Sequence, residues 1–314
     1  MRNSLSVIIP TYKRKDSLLL LLEALTRQKD IVPEIIIVDQ NPPGYLAGCL
    51  PEAPNIRHLL LEKPNASDAR NQGFREAKGE YLLFIDDDLL PEADFCAKGV
   101  DLFNKYPAMG CFSPLVYNAE GKDPALQLAT SKRIGRLEAN PEIFAITDTI
   151  SAALFFRKSY YMLTGGFDPM LFDFAKTAED QEFFLRMRRK GLEVYFVPFL
   201  EVFHDEAVPG GCDLRTTEYW ITREKCMRSW AYRYRIHHAL PGKLSVRDIF
   251  NLSRSGFLNR EGLASGPGKI LRQMQLMRKA IRSSFQYLQD KLERYLPPEK
   301  MDHLKEPEHP AIPR

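Results

Sequence analysis

Short apolar runs alternate with segments of helical periodicity in the N-terminal part of the chain. Four runs have the length and the β-branched or aromatic content of buried strands: residues 6–9, 34–39, 56–61 and 81–85. Leucine-rich or amphipathic helical segments, residues 16–28 and 68–77, lie between the first and second runs and between the third and fourth. This alternation predicts an α/β fold with a Rossmann-type, mostly parallel sheet flanked by helices.

The pattern is weaker in the second half of the chain. Loops dominate residues 118–143, and strands are predicted at 149–156 and 193–197. Residues 177–189 form a predicted helix that opens with acidic residues and stops at Gly191. Beyond Cys212 the pattern is mostly helical, so we expect an α/β domain over 1–211 and a helical region over 212–314 with a frayed end.

The helical region carries an apolar stripe at helical spacing and a surplus of cations. The stripe consists of Ile270, Met274, Met277, Ile281, Phe285, Leu288, Leu292 and Leu296. Residues 212–314 contain 20 Lys and Arg against 11 Asp and Glu, whereas residues 1–211 contain 24 against 30. A solvated helix face, a packing face and an anionic membrane surface all remain open for this region.

Composition bounds the class of protein. The chain has 314 residues, of which 44% are hydrophobic and 27% charged, so it can bury a sizeable core. Five widely spaced cysteines without a C-x-x-C pair argue against a disulfide framework and a structural zinc site. The apolar runs are too short for a signal peptide or a membrane span. We therefore expect a cytoplasmic protein, with peripheral association at the inner face of the cytoplasmic membrane left open.

Three consecutive carboxylates, Asp86, Asp87 and Asp88, follow the apolar run at 81–85. Carboxylates at the end of a buried strand are costly unless a cation is nearby, and Mg²⁺ or Mn²⁺ prefers oxygen ligands and commonly bridges to phosphate. An acidic strand-to-loop junction without a ligand is the alternative. Because ligands of open α/β sheets bind at the carboxyl ends of the strands, the position favours a binding site.

Other strand ends carry matching chemistry. Tyr12 follows the first strand and offers a stacking surface, and Asp39 ends the second strand and offers an acceptor for a base N–H. No glycine-rich phosphate loop follows the first strand. A diphosphate would therefore need a metal and side chains such as Arg70 as counter-charges.

Five segments in this order, SVIIPTYKR, EIIIVDQ, ARNQGFREAKGEYLLFIDDD, GGFD and AED, resemble the family-2 inverting glycosyltransferases of GT-A fold. The resemblance covers roughly residues 4–206. It implies nucleotide contacts at Pro10, Thr11, Tyr12, Asp39, Arg70, Asp86 and Asp87. It implies metal contacts at Asp88 and His204, and an acceptor-activating base at Asp180. Gly166, Phe167, Asp168 and Glu179 are assigned to the acceptor region.

The residues alone allow simpler interpretations of several of these positions. Asp180 and Glu179 could merely complement a helix dipole, His204 could be a hydrogen-bonded structural histidine, and the glycines of GGFD could form only a turn. The chain also departs from the family at Lys13, where asparagine is usual, and it lacks the Q-x-x-R-W motif of processive polysaccharide synthases.

The resemblance implies transfer of one sugar from a nucleoside diphosphate sugar, by default a UDP-sugar, to a glycan or lipid-linked acceptor, with Mg²⁺ or Mn²⁺ as cofactor. Such a reaction would serve cell-surface glycan or polysaccharide biosynthesis. Two other hypotheses are a nucleotidyltransferase acting on a sugar phosphate and an inactive carbohydrate- or metal-binding homologue. We expect no nucleic-acid partner, since no nucleic-acid-binding motif accompanies the basic charge; a homo-oligomer remains open.

Overall fold

A computed structural model of the protein describes residues 4–122, 124–128, 131–169, 179–205, 224, 227–228, 231–232, 245–256 and 267–289. The chain divides into two compact units, residues 1–185 with 192–218 and residues 186–191 with 219–314. The domain boundary predicted at Cys212 lies outside the described residues and stays a prediction.

Strands and helices follow one another much as the hydrophobic pattern predicts. The strands are β1 (Leu5–Thr11), β2 (Glu34–Asp39), β3 (Ile56–Leu60), β4 (Tyr81–Ile85), β5 (Leu89–Pro91), β6 (Cys111–Tyr117), β7 (Phe144–Ile146), β8 (Ala153–Arg157) and β9 (Val194–His204). The helices are α1 (Lys15–Thr26), α2 (Ala66–Glu76), α3 (Phe95–Lys105), α4 (Pro124–Gln127), α5 (Lys158–Thr164), α6 (Glu179–Arg189), α7 (Val246–Gly256) and α8 (Pro267–Gln289). The first two residues of the helix predicted over 177–189 lie outside the described ranges.

Within the described residues the strands form one sheet in the order β3-β2-β1-β4-β8-β6-β9-β5, and β7 pairs with β9. The first four strands in this order are parallel. Strand β8 is antiparallel to both β4 and β6, and β9 is parallel to β6. The predicted α/β fold with a Rossmann-type parallel portion is confirmed.

Helices cover both faces of the parallel strands, which explains why those strands are continuously apolar. Leu18, Leu22 and Leu25 of α1 share a buried cluster with Val7 and Ile9 of β1. On the other face, Gly73 of α2 packs directly against the Ile8 side chain. The rigid sheet fixes the positions of the loops that follow its strands.

The hydrophobic pattern does not reveal six elements: β5, α3, β6, α4, β7 and α5. Strands β5 and β7 have three residues each, too few to show a period. Strand β6 contains Pro114, a residue typical of edges and bulges, and its pairing with β9 shifts register directly after it. Helix α3 carries Gly99 in its interior, where a Cβ atom would clash with the Phe155 ring.

The apolar stripe predicted for the C-terminal region is partly wrong. Among the α8 side chains whose burial the structure describes, which do not include Phe285 and Leu288, the buried ones are Gln273, Met277, Ala280 and Ser284. Met274 of the predicted stripe is 40% exposed. Met277 and Ala280 pack with Met227 and Ala231 in a small cluster. Small and polar residues occupy this seam, so a count of large apolar residues misjudges its position. Leu292 and Leu296 lie outside the described residues.

Among the helices within the described ranges, none combines the length and the apolar character that a bilayer-spanning segment needs.

We predict that Gly73→Ala destabilises the fold, because the new methyl group would overlap the buried Ile8 side chain. Overpacking of this kind costs about 1–3 kcal/mol in the free energy of unfolding, which urea denaturation measures. Gly135→Ala is the control, since its Cβ would meet only Ala145 at an ordinary 3.6 Å. Equal stability of the two variants would contradict this account of the α2–β1 contact.

Candidate active site

The predicted nucleotide-binding residues gather at the carboxyl ends of the parallel strands. Pro10 and Thr11 are the last residues of β1, and both pair with the end of β2 at Val38 and Asp39. Asp86 directly follows β4. Since β1 lies between β2 and β4, these ends are neighbours along one edge of the sheet.

Arg70 of α2 is the buried cation of this edge. Its Nη2 donates to Asp86 Oδ1 at 2.9 Å, and its guanidinium lies over the Phe167 ring at 5.2 Å. The side chain is only 4% exposed, yet its Nε and Nη1 have no hydrogen-bond partner among the described residues. A buried guanidinium with unused donors fits a site that receives an anionic ligand.

Asp87 and Asp88 are both buried and share a second cation, Arg14. Thr11 Oγ1 donates to Asp87 Oδ2 at 2.7 Å. Arg14 Nη1 lies 3.3 Å from Asp87 Oδ1 and 2.7 Å from Asp88 Oδ2. Loss of solvent is the main reason why the pKa of Asp87 rises to about 7 and that of Asp86 to about 6.

His204, the last residue of β9, lies beside Asp88, the other residue to which the resemblance assigns a metal contact; that role stays a prediction for both. Its Nε2 lies 3.2 Å from Asp88 Oδ2, while Asp88 Oδ1 has no hydrogen-bond partner within the described part of the chain. No cluster of three or more His, Cys, Asp or Glu side chains suited to a metal ion occurs among the described residues. One carboxylate and one imidazole fit a cation that completes its coordination with substrate phosphate and water.

Asp39 is held in a network that joins the ends of β1, β2 and β3. Its Oδ1 accepts from the Asn41 backbone N–H at 2.9 Å and from Asn41 Nδ2 at 2.7 Å, and its Oδ2 lies 3.0 Å from His58 Nε2. Asn41 Oδ1 in turn accepts from the Lys13 N–H. Lys13 has a left-handed backbone, φ 59°, a conformation that asparagine adopts more readily than lysine. This geometry gives a physical reason for asparagine at that position in the family.

Tyr12, predicted to stack on the nucleotide, lies between Thr11 and Lys13 in the chain and is half-buried. The Lys13 ammonium lies 5.0 Å from the centre of its ring.

The GGFD segment is tied to α2 by Asn71. Asn71 Oδ1 accepts from the Phe167 N–H, and Asn71 Nδ2 donates to the Phe167 carbonyl, both at 2.9 Å. Gly166 has φ 75°, and a Cβ there would lie 2.7 Å from Asn71 Oδ1, so the turn requires glycine. Asp168 is buried as well. Phe167 is buried and stacks on Phe183 of α6 at 4.2 Å. The assignment of the GGFD segment to the acceptor region stays a prediction. Through Phe167 the segment connects Arg70 to the helix that carries Asp180.

Asp180 and Glu179 occupy the first turn of α6. Asp180 Oδ2 accepts from the Ser151 N–H at 3.2 Å, and its Oδ1 is buried without a hydrogen-bond partner among the described residues. In addition to burial, the charges of Asp88 and Asp180 raise the pKa of Asp86. Asp180 and the Asp86–Asp88 acids therefore belong to one electrostatic cluster.

Glu179 has a perturbed titration. Burial first, and the neighbouring charge of Asp180 second, raise its pKa to about 7, against the opposing effect of Arg70. At neutral pH a large fraction of Glu179 is therefore protonated.

Five residues of the site described above were not identified from the sequence: Arg14, Asn41, His58, Asn71 and Ser151. Arg14 and Asn71 stand inside the segments SVIIPTYKR and ARNQGFREAKGEYLLFIDDD, so those segments contained the signal. Ser151 contributes only its backbone N–H, for which side-chain chemistry gives no signal.

The model of glycosyl transferase family 2 matches residues 6–163, just over half of the chain. The chain belongs to this family. Its relatives include an uncharacterized glycosyltransferase of Haemophilus influenzae, 34% identical over 33% of this chain and 35% of the relative. Chondroitin synthase of Escherichia coli is 22% identical over 65% of this chain and 35% of the relative. The chain thus spans about a third of the length of these curated relatives.

Solved structures share the fold. The crystal structure of Staphylococcus aureus TarS 1–349 with UDP-GlcNAc has a TM-score of 0.55 at 13% identity, covering 91% of this chain and 92% of TarS 1–349. The mannosyltransferase PcManGT of Pyrobaculum calidifontis, in complex with GDP-Man and Mn²⁺, has a TM-score of 0.51 at 15% identity, covering 93% and 80%. The prediction of a family-2 protein of GT-A fold is confirmed.

We predict that Glu179→Gln stabilises the protein at pH 8 but not at pH 4. An unfolded glutamate ionises near its ordinary pKa of about 4.3, whereas the folded protein holds the proton up to about pH 7. Between these values the native state binds more protons than the unfolded state, so its stability falls as the pH rises. Glutamine removes that loss.

The measurement is the free energy of unfolding in urea across this pH range, with the exposed Glu52→Gln as control. Parallel curves for the parent and Glu179→Gln would refute a raised pKa for Glu179.

Proposed function

We propose that this protein transfers one sugar from a nucleoside diphosphate sugar to an acceptor hydroxyl with inversion at the anomeric carbon. The observation that carries this proposal is the shared cluster of Arg70, Asp88 and Asp180, each with buried polar atoms that accept or donate no hydrogen bond among the described residues. The product would belong to a cell-surface glycan or polysaccharide. The strongest alternative class, nucleotidyl transfer, would need a phosphate-binding loop that the sequence after Ile9 lacks.

The donor would bind at the edge formed by β1, β2 and β4. Asp39 is a buried acceptor for the imide N–H of a uracil, and Tyr12 offers a ring beside it. Nε and Nη1 of Arg70, which have no hydrogen-bond partner among the described residues, would donate to the anionic part of the nucleotide sugar. Structural neighbours were solved with UDP-GlcNAc and with GDP-Man, which supports a nucleotide sugar as donor. We assign a UDP-sugar to this protein.

Asp88 and His204 would hold the divalent cation. Asp88 Oδ1 has no hydrogen-bond partner within the described part of the chain, and His204 Nε2 lies close to the same carboxylate. This pair fits an ion with mixed oxygen and nitrogen ligands. An imidazole ligand favours Mn²⁺ over Mg²⁺. When bound, the ion supplies positive charge against the leaving diphosphate. PcManGT was solved in complex with Mn²⁺ as well as GDP-Man, which supports this cofactor.

Asp180 would be the general base. In an inverting reaction by a single displacement, the hydroxyl oxygen of the acceptor bonds to the anomeric carbon as the bond from that carbon to the diphosphate breaks. One carboxylate is needed to take up the proton of that hydroxyl. The Ser151 N–H orients Asp180 through Oδ2 and leaves Oδ1 for that proton.

We predict that Asp180→Asn lowers the rate of sugar transfer by a factor of about 10²–10⁴, the usual contribution of a general base. Binding of UDP with Mn²⁺ should stay within about threefold of the parent, since asparagine keeps the side-chain shape. Transfer is measured by release of nucleoside diphosphate, and binding by calorimetry.

Asp94→Asn is the matched control, because it removes the same charge from an exposed i,i+4 pair with Lys98. Near-parental transfer by Asp180→Asn would exclude this base. Release of pyrophosphate instead of nucleoside diphosphate by the parent would support nucleotidyl transfer.

The acceptor would be a glycan or a lipid-linked molecule presented at the inner face of the cytoplasmic membrane. Support comes from α7, whose start is fixed by a capping box: Asp248 Oδ2 accepts from the Ser245 N–H at 2.8 Å, and Ser245 Oγ accepts from the Asp248 N–H at 3.2 Å. Three apolar side chains on one side of the helix are exposed, Val246 by 85%, Ile249 by 44% and Phe250 by 56%. Arg247 and Arg254 flank them. An exposed apolar face bordered by cations is typical of helices that lie on anionic membranes.

We predict that the double substitution Ile249→Ser and Phe250→Ser weakens binding to phosphatidylserine-containing vesicles by at least about tenfold, since two apolar side chains no longer enter the interface. Sedimentation of the full chain with vesicles measures this. Leu20→Ser is the control, because Leu20 is an exposed apolar residue of α1. Undiminished sedimentation of the double variant would remove α7 from the membrane contact.

A further inference from the structure

Arg14 contacts Asp88, the carboxylate that the proposed metal ion would need as a ligand. It precedes α1 directly, and its Nη1 contacts Asp88 Oδ2 at 2.7 Å. His204 Nε2 approaches the same oxygen at 3.2 Å. A cation bound between Asp88 and His204 would therefore meet the positive charge of the Arg14 guanidinium at close range, and the two cations would repel each other.

Asp88 also needs Arg14 in the free protein. The carboxylate is 3% exposed, and an ionised carboxylate at that depth requires a paired cation. Arg70 does not serve this purpose, because it pairs with Asp86 at the other end of the acid triplet. Arg14 thus supplies the charge that a metal ion would otherwise supply.

A nucleoside diphosphate changes this balance. Its phosphate oxygens are strong acceptors, and a guanidinium is the side chain best shaped to bind them. Arg14 is 19% exposed, so its end can reach a ligand at the surface of the site, unlike the more deeply buried Arg70. Once Arg14 has an anionic phosphate partner, the attraction of Asp88 for a divalent cation is no longer offset.

We propose that Arg14 makes metal binding depend on the nucleotide: it neutralises Asp88 in the free protein and pairs with the diphosphate when donor and metal bind together. This inference rests on the proposed function, since it needs a metal and a nucleotide in this site. Because coupling between two ligands is reciprocal, the metal must strengthen nucleotide binding by the same factor.

The test is a titration of the full chain with Mn²⁺, carried out with and without saturating UDP. Electron paramagnetic resonance measures the free ion at each point. In the parent we expect weak Mn²⁺ binding alone and a gain of about 5–150-fold with UDP, the range of ordinary coupling. Arg14→Met, which keeps chain length without charge, should bind Mn²⁺ alone at least about fivefold more tightly. Its gain with UDP should be at least about fivefold smaller than that of the parent but still above one, since the diphosphate itself can ligate the ion.

Two controls separate this role from general effects. Arg27→Met removes the same charge near the other end of α1, where Arg27 pairs with Glu23 at the surface, and should behave as the parent. Arg14→Lys keeps a cation, so its affinity for Mn²⁺ without UDP should stay close to the weak affinity of the parent. This variant provides a comparison even if Arg14→Met folds poorly.

The outcomes are distinguishable. The first case is a parent that shows coupling between Mn²⁺ and UDP and an Arg14→Met variant whose Mn²⁺ affinity without UDP is unchanged or weaker. That result would overturn the role of Arg14 and leave the proposed function standing. A parent that binds neither UDP nor GDP in the presence of Mn²⁺ would overturn the proposed function, and the coupling with it.

Discussion

Charge compensation between buried acids and two arginines is the constraint on which this site depends. Asp86, Asp87 and Asp88 follow β4 without an intervening residue, and Asp87 and Asp88 are almost completely removed from water. Such a group cannot stay ionised in a protein interior unless cations lie against it. Arg70 from α2 and Arg14 from the start of α1 provide them, so both helices that flank β1 must be in place before the acid cluster is tolerable.

The sheet topology determines which side chains can join this cluster. Parallel strands β1, β2 and β4 bring Thr11, Asp39 and Asp86 to one edge, as expected for strands joined by helical crossovers. Beyond β4 the direction reverses at β8, so the residues that precede β8, among them Ser151, lie at the edge where β4 ends. There the Ser151 N–H meets Asp180. The change from parallel to antiparallel pairing thus brings the proposed base to the donor side.

Those parts of the fold that bury a regular face were predictable from the sequence. The stretch 35–38 is continuously apolar because helices cover both sides of the sheet, and the candidate acid Asp39 lies at the end of this strand. Elements whose formation depends on distant partners were not predictable: β5 and β7 are too short to have a period, and β6 contains a proline. The seam of α8 was misjudged for a related reason, because Gln273 and Ser284 are buried there in place of large apolar residues. Within the site, the same limit applies to the contacts of Arg14: the residue stands in a recognisable segment, but its partners are 73 and 74 residues further along the chain.

The two arginines differ in a way that suits two different tasks. Arg70 is buried against the Phe167 ring, and Phe167 is itself clamped by Asn71 on the same helix and stacked on Phe183 of α6. Moving Arg70 would disturb this whole assembly, so it is a fixed charge that holds the site together whether or not a ligand is bound. Arg14 is instead held by the acids themselves, retains partial exposure and lies at the start of α1. A permanent cation at Asp86 and an exchangeable one at Asp88 would let the acid cluster fold without a metal and still accept one when the diphosphate arrives.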